Sequence, residues 1–326
     1  MTAQQTILVA TVGQGIMRSE DSGASWTRVR GGMHSEAMVR NLLTIPGDPP
    51  VVYAATDRGL YRSEDRGAHW ALVDSPLCEH AVWAVARNPA DPNVLYAGTG
   101  THTRATVFRS EDGGRRWEER PVTIAPTCPN TGTPRVLSIG VDPVDGRNVW
   151  MAIEVDGIRY SGDGGDSWRT LEHVTPNPDG HCVVVTPGPP KTVFYAVNNE
   201  IYRSTDDGAT WSALRVRETF PWGHVRNISV HPTDPRTLFV AIGDATPGET
   251  GAVMRSRDTG QTWETLPLDT APNSTMWRVT VQADDPALVF AASRFGYLYR
   301  SDDGGDSWHK LRREFSEIAD VAWFPN

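Results

Sequence analysis

Seven times the chain repeats one eight-residue phrase, Ser-x-Asp-x-Gly-x-x-Trp. The copies are SEDSGASW at Ser19, SEDRGAHW at Ser63, SEDGGRRW at Ser110, SGDGGDSW at Ser161, STDDGATW at Ser204, SRDTGQTW at Ser256 and SDDGGDSW at Ser301. Start-to-start spacings are 44, 47, 51, 43, 52 and 45 residues, a period that belongs to propellers and solenoids. Short alternating apolar runs flank each copy, as in NVLYAGTG and TVFRSED, and this alternation specifies strands rather than helices. The third unit reads as four strands, A to D: VWAVARNP, NVLYAGTG, TVFRSED and RRWEERP. A second signature joins A to B, as in NPADPN, DPVDGRN, HPTDPRT and QADDPAL; proline and aspartate there favour a tight turn that ends a central strand. The phrase itself falls in the C-to-D hairpin. Its Asp can accept backbone N–H groups, its Gly permits positive φ, and its Trp is expected to be buried against the blade.

This phrase resembles the Asp-box (BNR) repeat of sialidase-like and related β-propellers, and its copies run along nearly the whole chain. The resemblance implies that the box is an architectural turn remote from any active site. The fold expected is all-β: a seven-bladed propeller of four-stranded antiparallel blades, formed as one domain over residues 1–326. The chain opens with strands B, C and D of a unit, and IADVAWFPN at its end supplies the missing A strand. The C-terminal strand should therefore close the first blade and remove an open sheet edge.

The same resemblance separates this chain from several relatives. True sialidases use six blades, an arginine triad and an early Arg-Ile-Pro motif, and no Arg-Ile-Pro occurs here. Xyloglucanases pair two seven-bladed domains around a cleft, and this length holds one. Sortilin-type receptors have ten blades. The photosystem II assembly-factor family has a similar single body, normally with a targeting or lipoprotein segment.

Composition narrows the partners. The net charge is −9, with no block of like charge, which disfavours a nucleic-acid backbone. Cys78, Cys128 and Cys182 are an odd, scattered set that fits a reducing compartment better than a disulfide framework. The apolar stretch from Ile7 to Val12 is too short for a signal peptide, and no run reaches the ~18 apolar residues of a membrane span. The expectation is a soluble, cytoplasmic protein with no membrane or nucleic-acid partner.

Chemistry is sought between the boxes. In a four-stranded blade the A-to-B and C-to-D turns share one face, and the B-to-C and D-to-A connections share the other. The second face varies from blade to blade, as binding loops on a rigid scaffold do. Its D-to-A segments carry His34, His80, His181 and His224, with Glu79 beside His80. Arg40, Arg135, Arg226 and Arg278 stand at or near the inner-strand entries, with Trp83 and Trp277, and the B-to-C loops add His102, Glu154 and Arg294. The site expected is an axial pocket in which His80, His181, His224 and Glu79 do acid–base chemistry. Arg40, Arg135, Arg226, Arg278, Trp83, Trp277 and Glu154 would bind substrate there. No cofactor is identified; His80, His181 and His224 are the candidates for a divalent metal, although they precede the next turn by unequal distances. Structural readings stand beside these: arginines can bridge blades, and entry tryptophans can be inter-blade packing. The function read from the sequence is small-molecule binding, with hydrolase or lyase chemistry. The alternatives are a protein-interaction or assembly scaffold and a carbohydrate-binding propeller; the partner is a small molecule or a protein.

Overall fold

The computed structural model describes residues 4–101, 104–129 and 132–326. It contains seven four-stranded antiparallel sheets, each running A-B-C-D outward. The inner A strands are Ile318–Pro325, Val39–Ile45, Ala81–Arg87, Val136–Val141, Gly180–Thr186, His224–Val230 and Met276–Gln282, for blades 1 to 7 in turn. Blade 1 pairs the C-terminal strand Ile318–Pro325 with Gln5–Thr11, so the last strand of the chain closes the ring. Among the described residues, no helix is long and apolar enough to cross a membrane. No disulfide joins the three cysteines.

Each box serine is the last residue of its strand C, and the turn that follows is built the same way seven times. In blade 4, Ser161 Oγ donates to Asp163 Oδ1 at 2.7 Å and accepts from the Gly165 N–H at 2.7 Å. Asp163 Oδ1 also accepts from the Ser167 N–H at 2.9 Å. The seven box glycines have φ between 76° and 96°, and the residue before each is also left-handed, including the non-glycine Ser22, Arg66, Asp207 and Thr259. The Asp and Ser oxygens hold that conformation by taking up the backbone donors it exposes. The boxes then hydrogen-bond the A-to-B turns, as in Gly113 N to Asn93 O at 2.9 Å and Gly164 N to Arg147 O at 2.8 Å. Both turn sets therefore lie on one face.

Seven apolar clusters form the core, each drawn from two adjacent blades. The box tryptophans are less uniform than the repeat suggests. Trp70, Trp117 and Trp308 are buried, whereas Trp26, Trp168, Trp211 and Trp263 are only half-buried. The Trp168 indole N–H returns to its own Gly165 carbonyl at 3.1 Å. The buried Trp70, Trp117 and Trp308 make the same bond to their own box glycines.

Candidate functional site

One irregularity repeats in all seven inner strands. Near each A-strand entry the pairing with strand B slips by one residue, between Val39 and Asn41, Val82 and Ala84, Val136 and Ser138, Gly180 and Cys182, Val225 and Asn227, and Met276 and Arg278. In the closing strand the pairing passes from Asp320 to Ile318 and skips Ala319. A β-bulge leaves its extra residue unpaired and re-aims its side chain. The seven bulged residues are Arg40, Trp83, Leu137, His181, Arg226, Trp277 and Ala319, and all seven line one axial cavity of about 520 Å³. Further lining comes from the B-to-C connections, including Glu154, Asn198, Thr246 and Arg294, and from Arg135, Asp179 and His224 beside the strand entries. The box turns contribute nothing to it, so the cavity opens on the opposite face.

In five of the seven blades the residue after the bulge has a different task. Asn41 Oδ1 accepts from the Val85 N–H at 2.9 Å, Ser138 Oγ from Val183 at 3.1 Å, and Asn227 Oδ1 from Val279 at 3.0 Å. Asp320 Oδ2 accepts from Leu42 at 2.9 Å. Each reaches the next inner strand, so this second ring ties blades together around the cavity floor. Arg278 belongs to it: its Nη2 donates to Asp320 Oδ2 at 3.0 Å.

Two Arg–Trp–Arg clusters line the walls. The Arg40 and Arg135 guanidinium carbons lie 4.3 and 4.6 Å from the Trp83 ring centroid. Arg226 and Arg294 lie 3.9 and 4.2 Å from that of Trp277. Both guanidinium groups of each set lie within cation–π distance of one indole, an attraction that holds them against the ring.

The arginines differ in their neutralisation. Arg135 is paired with Glu154, Arg278 with Asp320 at 2.8 Å, and Arg294 with Glu317 at 2.5 Å. Among the described residues no carboxylate lies within ion-pair distance of Arg40 or Arg226. The Arg40 side chain donates to Met38 Sδ at 3.1 Å, and Arg226 has the Trp277 ring. Burial, reinforced by neighbouring arginines and only partly opposed by Glu154 at Arg226 and by Asp57 and Glu317 at Arg40, pushes both guanidinium groups down to about 10. They remain cationic at neutral pH, at a cost that an anionic ligand would relieve.

His181 and His224 face each other with ring centroids 5.4 Å apart. His181 Nδ1 is 2.7 Å from the Val225 carbonyl and its Nε2 is 3.6 Å from Asp179 Oδ2. Burial works to raise the Asp179 carboxyl, but His181 and the charge of Arg226 outweigh it and hold the group below its usual range. Burial, then the charges of His181 and Arg226, pushes His224 down to about 4, so its imidazole is neutral at pH 7. Its Nε2 is 2.6 Å from Thr246 Oγ1.

His80 and Glu79 do not reach this cavity, and their assignment to an axial acid–base group is corrected here. The segment Pro76–Glu79 forms a short 3-10 turn capped by His80, which carries both residues outward. Glu79 is exposed, and the His80 ring packs against Phe108 with centroids 5.3 Å apart. The metal set His80, His181 and His224 therefore does not assemble, and among the described residues no three His, Cys, Asp or Glu side chains gather to hold a metal ion. His102 lies outside the described residues. Sequence reasoning overlooked Leu137, Asp179 and Ala319, and treated Arg294 as one loop residue among many. A signal existed: aligning the seven strand entries on Val39, Val82, Val136, Gly180, Val225, Met276 and Ile318 puts each axial residue one position later.

A family model for the photosynthesis system II assembly factor YCF48 matches residues 97–243, and a sortilin (neurotensin receptor 3) model matches residues 14–128. A xyloglucanase of Acetivibrio thermocellus is 26% identical over 284 residues, covering 71% of this chain and 32% of that enzyme. The photosystem II assembly lipoprotein Ycf48 of a Synechococcus species is 23% identical, covering 62% of this chain and 68% of that protein. The chain thus spans about a third of the xyloglucanase. Among solved structures, an ancestral GH74 enzyme superposes with a TM-score of 0.62 at 20% identity, over 90% of this chain and 38% of that one. YCF48 bound to D1 peptide also gives 0.62, at 16% identity, over 89% and 91%. The chain is an Asp-box seven-bladed β-propeller that fits the sialidase-like and Ycf48-like superfamily. Its relatives include both carbohydrate hydrolases and an assembly factor.

Proposed function

We propose that this propeller binds a small anionic molecule in its axial cavity, through Arg40 and Arg226. One observation carries the reading: of five arginines on the walls, these two lack a carboxylate partner, and each is stacked against a tryptophan. Stacking fixes the guanidinium before a ligand arrives, so less side-chain entropy is lost on binding. The cavity volume suits a ligand of ordinary metabolite size. Hydrolase or lyase chemistry at this site would use His224, neutral at pH 7 and next to the Thr246 hydroxyl, to take up a proton. Acid catalysis by a carboxyl pair is less well supported, because Glu154 is committed to Arg135 and Asp179 is held ionised.

A second reading is recognition of an acidic group on a polypeptide partner. It is favoured by Met38 (38% exposed), Trp222 (38%) and Phe295 (43%), three large apolar side chains open to solvent in D-to-A and B-to-C segments, the connections of the cavity face. The two readings share the arginines. The test is thermal stabilisation of the purified protein at low salt by acetate, phosphate and sulfate, against neutral oligosaccharides. Anions should raise the melting temperature of the wild type and leave the Arg40→Met/Arg226→Met double variant unmoved. Stabilisation by neutral sugars alone would refute anion binding.

A further inference from the structure

The two arginines without carboxylate partners are not neighbours. Arg40 is the bulged residue of blade 2 and Arg226 that of blade 6, so in a ring of seven three blades lie between them one way and two the other. They face each other across the axis. Each leans toward the following blade, Arg40 onto Trp83 and Arg226 onto Trp277. Between them the ring carries Leu137 and His181 on one side and Ala319 on the other. Arg135, Arg278 and Arg294 are already matched by Glu154, Asp320 and Glu317, and Trp83 Nε1 is a buried donor without an acceptor beside the Arg40 position. A single small anion can pair with one of these arginines and leaves the other with only more distant carboxylates, Glu154 near Arg226 and Asp57 and Glu317 near Arg40.

We infer that the ligand carries two anionic groups, one for each arginine, joined by a linker that crosses the axis past Leu137 and Ala319; this rests on the anion-binding reading above. A dicarboxylate or a molecule bearing a carboxylate and a phosphate has the required chemistry. Forked guanidinium hydrogen bonds at both ends would set orientation and length selectivity together. The experiment is calorimetric titration, at low salt, of acetate and of the linear dicarboxylates from malonate to suberate into wild type, Arg40→Met and Arg226→Met. Methionine keeps an unbranched stem against the tryptophan and removes the charge; the thermal melt of each variant verifies folding, and Arg226→Lys restores the charge without the fork. One chain length should bind at least about tenfold more tightly than acetate, with 1:1 stoichiometry. Each Met variant should reduce that dicarboxylate to the acetate level, while Arg226→Lys recovers part of the loss. If acetate binds but no dicarboxylate exceeds it tenfold, or if the best dicarboxylate ignores either substitution, the two-ended ligand is wrong and the anion reading survives. If neither acetate nor any dicarboxylate binds, both fail together.

Discussion

Replacing Asp320 should destabilise the ring strongly, because its carboxylate joins the closing strand to both neighbouring blades. Its side chain is 6% exposed and serves two blades besides its own. Oδ2 accepts from Asn41 Nδ2 at 2.7 Å and from the Leu42 N–H at 2.9 Å, both on blade 2. On blade 7, Arg278 donates Nη2 at 3.0 Å to Oδ2, and its Nε lies 2.8 Å from Oδ1 as part of the ion pair. Oδ1 also accepts the Val321 N–H at 2.8 Å. Alanine would leave Arg278 without its counter-charge and two backbone donors without acceptors. Breaking a buried pair from one side costs about 3–5 kcal/mol, and each orphaned donor about 1–3 kcal/mol. These contributions share one carboxylate and overlap, so Asp320→Ala should lose about 4 kcal/mol in urea unfolding. Asp320→Asn keeps an acceptor and the side-chain volume, and should lose about half as much. Arg278→Met should cost less in the Asp320→Asn background than in wild type, since the charge pair is already gone. Equal losses for Ala and Asn, or an Ala variant within about 1 kcal/mol of wild type, would refute the idea that this carboxylate joins the blades.

Removing Ile318–Asn326 should expose the edge of Gln5–Thr11 and abolish cooperative melting, followed by circular dichroism. Trp117→Ala, at a buried box position, should cost about 3–5 kcal/mol, and Trp168→Ala clearly less because that ring is half-buried; equal losses in urea titrations would contradict the burial argument. Asp163→Ala should lower stability while leaving any axial ligand's affinity intact, as judged by titration of the folded variant. His224 is held at about 4 in the folded protein, so the unfolded chain takes up the proton first as pH falls. Its contribution, roughly 2–3 kcal/mol, should be complete above about pH 6.5 and disappear as pH drops toward 4; a His224→Gln variant with the same pH slope over that window would exclude this origin.

The architecture was legible because it is written in local chemistry. A Ser-x-Asp-x-Gly-x-x-Trp turn satisfies its own donors within eight residues, as Ser161, Asp163 and Gly165 do. Its seven-fold repetition therefore announced seven hairpins and, with IADVAWFPN left over, a closing strand. The face opposite the boxes followed from strand alternation alone. What the sequence could not convey was which side chains on that face converge. His80 and His181 look alike as loop histidines, yet a 3-10 turn carries one outward against Phe108 while a bulge turns the other onto the axis. Likewise Arg226 and Arg278 are one position apart on one type of strand entry. Only tertiary pairing left Arg226 without a carboxylate and gave Arg278 to Asp320, 42 residues away in the chain. Turn formation depends on neighbours in sequence, so the chain records it directly. Charge compensation and side-chain direction depend on the ring being closed, and only the closed ring decides them.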